Sequence, residues 1–95
     1  MAGYVIAEVQ VSDPERYAEY RQQVDAAIAA YGGRFLVRGG KSEALEGDAP
    51  RGRLVIAEFD SYEQARAWYD SEENAGPMKI RHEVSVGRLI LVEGV

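Results

Sequence analysis

The chain carries two copies of one pattern: an apolar run with a single carboxylate near its end, followed at once by a helix-start signal. Val5-Ile6-Ala7-Glu8-Val9 leads through Gln10-Val11 into Ser12-Asp13-Pro14-Glu15, and Leu54-Val55-Ile56-Ala57-Glu58-Phe59 leads into Asp60-Ser61. A duplicated strand-then-helix unit in 95 residues leaves few arrangements, because each helix must bury its apolar stripe against a sheet that both units share.

The remaining segments fit between the copies. Residues 3–11 alternate Val5, Ala7, Val9 and Val11 with Tyr4, Ile6, Glu8 and Gln10, as a strand does. A first helix follows to about Tyr31, capped by Ser12 or Asp13, with Tyr17, Tyr20, Val24, Ala27, Ile28 and Tyr31 forming one stripe. Gly32-Gly33 ends it. A short strand is expected over Arg34–Arg38, with Arg34, Leu36 and Arg38 on one face. Gly39-Gly40 then reads as a bulge, with the strand resuming over Ser42–Glu46. After Arg53–Phe59, Ser61 opens a second helix whose stripe is Ala65, Trp68 and Tyr69; Gly76-Pro77 opens a further short one to about Val84, and Arg88–Glu93 is the last strand. The order β-α-β-β-α-β, with a broken second helix, is an α+β, ferredoxin-like single domain: a four-stranded antiparallel sheet, helices on one face, and the two repeat strands side by side at its centre. Strand parity then puts Glu8 and Glu58 together on the face away from Val5, Val9, Val55 and Phe59.

That second face is not written for water. Leu54, Ile56, Leu89 and Leu91 alternate with Val55, Ala57, Ile90 and Val92, so both faces carry large apolar side chains. A patch of that kind marks an interaction surface, and a second copy packed about a two-fold axis is the simplest cover. The expectation is a homodimer enclosing a chamber in which Glu58, Arg38 and Arg81 bind a small, partly apolar, acidic molecule. Glu58 and His82, the only imidazole, are candidate acid-base groups. Arg38 and Arg81 are candidate carboxylate anchors, and Trp68 and Tyr69 candidate lining groups. Each has a structural alternative: Glu58 pairing with Arg38 across adjacent strands, the aromatics packing as core. A dimeric binding or interaction module with a filled core therefore stands beside an enzyme.

Composition excludes several classes. A net charge of −5 argues against nucleic acid as a partner. The absence of Cys with a single His removes thiolate metal sites, iron–sulfur clusters and thiol nucleophiles, so any chemistry is expected to need no cofactor. No run approaches the roughly 20 apolar residues of a membrane span, and the first residues lack a secretory pattern, which gives a cytoplasmic expectation.

Taken together, Tyr4-Val5-Ile6, Asp13-Pro14-Glu15 with Tyr17 and Tyr20, Gly32-Gly33-Arg34-Phe35-Leu36-Val37-Arg38-Gly39-Gly40, Leu45-Glu46-Gly47, Glu58-Phe59, Ala67-Trp68-Tyr69-Asp70-Ser71, Arg81 and Val92-Glu93-Gly94 closely resemble the family of domain of unknown function 1330. The resemblance spans essentially the whole chain. It implies a dimeric α+β barrel, as in the superfamily that includes antibiotic-biosynthesis monooxygenases, muconolactone-isomerase-like proteins and chlorite-dismutase-like haem proteins, but it supplies no agreed reaction; the expected chemistry is monooxygenase- or isomerase-like, without a cofactor. Asn74 departs from the pattern, which commonly has an aromatic residue there.

Overall fold

The computed structural model describes residues 1–95. Its elements are β1 (Gly3–Val11), α1 (Pro14–Ala30), β2 (Arg34–Arg38), β3 (Arg53–Phe59), α2 (Tyr62–Tyr69), α3 (Glu72–Val84) and β4 (Ser85–Glu93). The strands form one antiparallel sheet in the order β2-β3-β1-β4, with the repeat strands at the centre as expected. The architecture is α+β and ferredoxin-like, with the second helix divided in two. No helix is long and apolar enough to cross a membrane.

Parity does what the sequence requires of it in the central strands. Gly3 faces Phe59, Val5 faces Ala57 and Ala7 faces Val55, so these residues share the face that the helices cover, while Tyr4, Ile6 and Glu8 lie opposite with Glu58, Ile56 and Leu54. The helix face is packed in two groups. Val5, Ala57 and Phe59 meet Val24, Ala27, Ile28, Ala65 and Trp68, with the Phe59 and Trp68 rings 5.6 Å apart; Ala7 and Val9 meet Tyr17 and Val84.

Local chemistry sets the element boundaries. Asp13 accepts from the Arg16 N–H and Pro14 opens α1, where its missing donor is harmless. Gly32, at φ +74°, takes the left-handed turn that ends the helix. Ser61 accepts from the Gln64 N–H and starts α2.

Four sequence expectations are corrected here. The bulge lies inside β2 at Leu36, between the pairs Phe35–Ala57 and Val37–Ile56, not at Gly39-Gly40. The chain after Arg38 does not resume as a strand over Ser42–Glu46. The helix containing Pro77 begins at Glu72, because Ser71 caps it by accepting from the Asn74 N–H and Asn74, 2% exposed, donates to the Tyr69 carbonyl. β4 begins three residues early, at Ser85, directly after α3.

Candidate functional site

The bulge at Leu36 decides where the site is. An extra residue in one strand exchanges the faces of everything beyond it, so Arg34 points to the open face while Arg38, paired with Val55, points to the helix face. The expected grouping of Glu58 with Arg38 and Arg81 therefore does not form. Glu58 pairs with Arg34 instead, on the open face. Its carboxylate also raises the Tyr4 phenol above its ordinary range through a hydrogen bond. Glu8 makes the equivalent pair with Arg88, and the bond from that guanidinium holds its carboxyl below the usual range. Both carboxylates have partners, and both sit on the side of the sheet opposite the helices.

The other five sequence candidates gather on the helix face. Arg38 donates to Asp25 of α1 at 2.6 Å and stacks 3.9 Å over the Phe35 ring. Trp68 is 4% exposed, and its Nε1 has no hydrogen-bond partner. Such an orphaned buried donor is uncommon, because it keeps the full desolvation penalty of the N–H. Tyr69, Arg81 and His82 lie at the junction of α2, α3 and β4.

Two spaces open here. An inner cavity of about 40 Å³ lies between α1 and the sheet, bounded by Tyr17, Tyr20, Arg38, Arg53, Trp68 and Arg81. It has room for one or two water molecules. An outer cleft of about 540 Å³ runs along β4 and is lined by Arg66, Tyr69, Arg81, His82 and the β4 residues from Ser85 to Leu91. That volume is in the range of small-molecule sites. Gly87 leaves the floor of the cleft bare; a Cβ there would strike the Glu8 carbonyl of β1. Arg81 borders both spaces.

The electrostatics are one-sided. No Asp or Glu lines either space. Arg21 and Arg53, which line the inner cavity, and Arg81 form no ion pair, whereas Arg16, Arg34, Arg38, Arg66 and Arg88 all do. Arg53 lies 5.4 Å over the Tyr17 ring. Burial pushes the Tyr20 phenol up to about 12, against the pull of Arg81, so it stands in the cavity as a neutral donor. Uncompensated guanidiniums beside apolar walls are matched to an anion carrying an apolar body.

Arg21 and Arg53 border the inner cavity although neither is a candidate from the sequence. Helix periodicity assigns Arg21 to the wet side of α1, and it is exposed there, whereas Arg53 shares the inward parity of Val55 and Phe59. A cation at an inward strand position was the available signal.

The pattern of the domain of unknown function DUF1330 matches residues 2–95, and the chain belongs to that family. Among curated proteins none matches the sequence. Among solved structures, a protein of unknown function from Rhodopseudomonas palustris is similar over 99% of this chain and 82% of its own, with a TM-score of 0.77 at 19% identity. SnoaB, a cofactor-independent oxygenase from Streptomyces nogalater, gives a TM-score of 0.68 at 15% identity over 99% and 92% of the two chains. A dimeric protein of unknown function and ferredoxin-like fold from Bacteroides fragilis gives 0.56 at 16%, over 98% and 95%. These likenesses establish the fold.

Proposed function

We propose that this member of the DUF1330 family binds a small organic anion with an aromatic or otherwise apolar body on the helix side of its sheet, and that it does so as a homodimer joined through the open side. The observation that carries the ligand reading is the pairing of Arg81, which has no acidic partner, with two acid-free spaces, one of them lined by Trp68, whose Nε1 has no hydrogen-bond partner. A carboxylate on Arg81 supplies the missing counter-charge, and an acceptor on the ligand or a water it carries satisfies the indole.

Trp68 is the only tryptophan, so its fluorescence reports on the site directly. Titration with small aromatic carboxylates is expected to give saturable changes that neutral alcohols of the same shape do not. Equal responses from acids and alcohols, or none from either, would remove the anion site.

The chemistry open to the site is proton transfer. His82 is the one imidazole lining the outer cleft. A ligand anchored on Arg81 with an acidic C–H bond beside its carboxylate would give that proton to His82, and Arg81 would stabilise the resulting anion. Returning the proton to a different carbon is an isomerisation without a cofactor. The oxygenase among the structural relatives supports cofactor-independent chemistry on this fold as a class. Binders found by fluorescence should exchange that hydrogen for deuterium in heavy water, and His82→Gln should bind them yet stop the exchange. Binding without exchange in the native protein would leave a binding module.

The dimer reading rests on the open face. Ile56, Ile6 and Ile90 form a row across β3, β1 and β4, and Leu36, Val86, Ile90 and Val92 are between 42% and 68% exposed. The Arg34–Glu58 and Arg88–Glu8 pairs flank that row. A second sheet covers the apolar row and leaves both ion pairs internally satisfied, avoiding the penalty of a buried lone charge.

A further inference from the structure

We propose that residues 42–48 of one subunit add as a fifth strand to the free edge of β4 in its partner, roofing the outer cleft, so that each ligand site is completed by the other copy. The proposal rests on the homodimer described above and adds to it a segment with a specific destination.

Two parts of the chain have backbone groups without partners. The first is the outer edge of β4. Its inner edge pairs with β1 without interruption from Gly3–Glu93 to Val11–Ser85, but β4 ends the sheet. The strand contains no Pro and no bulge, and its only charges are Arg88 and Glu93, so little protects this long edge. The outer cleft follows this edge over seven consecutive residues, Ser85 to Leu91. The second part is the connection between β2 and β3. Residues 40–50 make no backbone–backbone hydrogen bond, and Leu45 is 88% exposed.

Their side chains are complementary. An extended Ser42-Glu43-Ala44-Leu45-Glu46 puts Glu43 and Leu45 on one side and Ala44 and Glu46 on the other. With the segment entering at the Ser85 end and Leu45 over Leu89 on the helix side, Glu43 lies toward Arg66 and His82 at the rim, Ala44 lies beside Arg88 on the open side, and Glu46 lies beside Ile90, diagonal to Arg88. The Arg66 and Arg88 side chains are 60% and 68% exposed, available to a second acid. Arg81, only partly exposed, is left for the ligand.

Topology makes the exchange intermolecular. Within one subunit β1 and β3 separate the connection from β4. A two-fold axis running along the strands in a face-to-face dimer brings β2 of one copy beside β4 of the other. The level is right as well: Arg53 and Gly87 both face Val9, so the connection leaves the sheet at the Ser85 end of β4, where Arg81 and His82 stand.

The chain has no cysteine, so introduced ones report without background. Ala44→Cys chains mixed with Arg88→Cys chains should give a covalent heterodimer on mild oxidation or with a short bis-maleimide, in samples that light scattering shows to be dimeric. Dimers that do not cross-link, or a double variant that links only within one chain, would overturn the arm and leave the dimer standing. A monomer by light scattering would overturn both. In the native protein, amides of residues 42–48 should exchange ~10-fold or more slowly in the dimer than after dilution to monomer; unprotected exchange in the dimer would also sink the arm.

Discussion

Arg81 stands where the two helix-side spaces meet, without an acidic partner, so the proposed ligand is anchored on it and little structural work is left for it. Removing an unpaired cation from an apolar wall relieves a desolvation cost, so Arg81→Met should fold with stability within ~1 kcal/mol of the native protein while losing the carboxylate-dependent change in Trp68 fluorescence. A large fall in melting temperature would show that the guanidinium holds the fold. Glu8 is the opposite case. The bond from Arg88 lowers its folded pKa below the ordinary carboxylate range, so its contribution is present above the unfolded pKa and disappears as pH falls through the depressed folded value. Glu8→Gln should therefore flatten the acid side of the melting-temperature profile and change little near neutrality; an unchanged acid limb would mean that the pair does not persist in solution. At this scale the sequence made Arg81, His82, Trp68 and Tyr69 legible as candidates, but placed Glu58 and Arg38 in the wrong company. Which guanidinium a carboxylate meets depends on the register of the neighbouring strand, and no single residue encodes that.

The elements are held by short-range chemistry that can be tested one at a time. Ser71 accepts from the Asn74 N–H at 3.1 Å and donates to the Trp68 carbonyl at 2.7 Å, joining the end of α2 to the start of α3. Ser71→Ala should cost ~1 kcal/mol or somewhat more and fray the first turn of α3, lowering amide protection at Asn74 and Ala75; full protection would show that Asn74 alone fixes the start. Phe59, fully buried against Trp68, should cost ~3–5 kcal/mol as Phe59→Ala, read as a shift in denaturant midpoint. Helix starts, stops and stripes were readable because caps and periodicity are local. The early start of α3 was not, since Glu72, Glu73 and Asn74 look like a polar break until the Asn74 side chain is seen bonded to the Tyr69 carbonyl.

For the whole molecule, the decisive feature is a sheet with two dissimilar faces. Ile56 lies in the apolar row between the two ion pairs, so Ile56→Arg should convert the proposed dimer to monomer in size-exclusion chromatography while leaving the helix-side core intact; an unchanged dimer would place the interface elsewhere. The amino-acid order alone determined the strand and helix succession, the central position of β1 and β3, and the side of the sheet on which Glu8 and Glu58 lie, because alternation and capping act over a few residues. Only the tertiary structure decided which candidates lie together. One bulged residue, Leu36, carries Arg38 to the helices and leaves Arg34 with Glu58, and the packing of α1, α2 and α3 on the sheet then brings Arg81, Arg53 and Trp68 around one cavity. A pleat repeats every second residue, so a single insertion changes every face beyond it, and that insertion is settled by the partner strand.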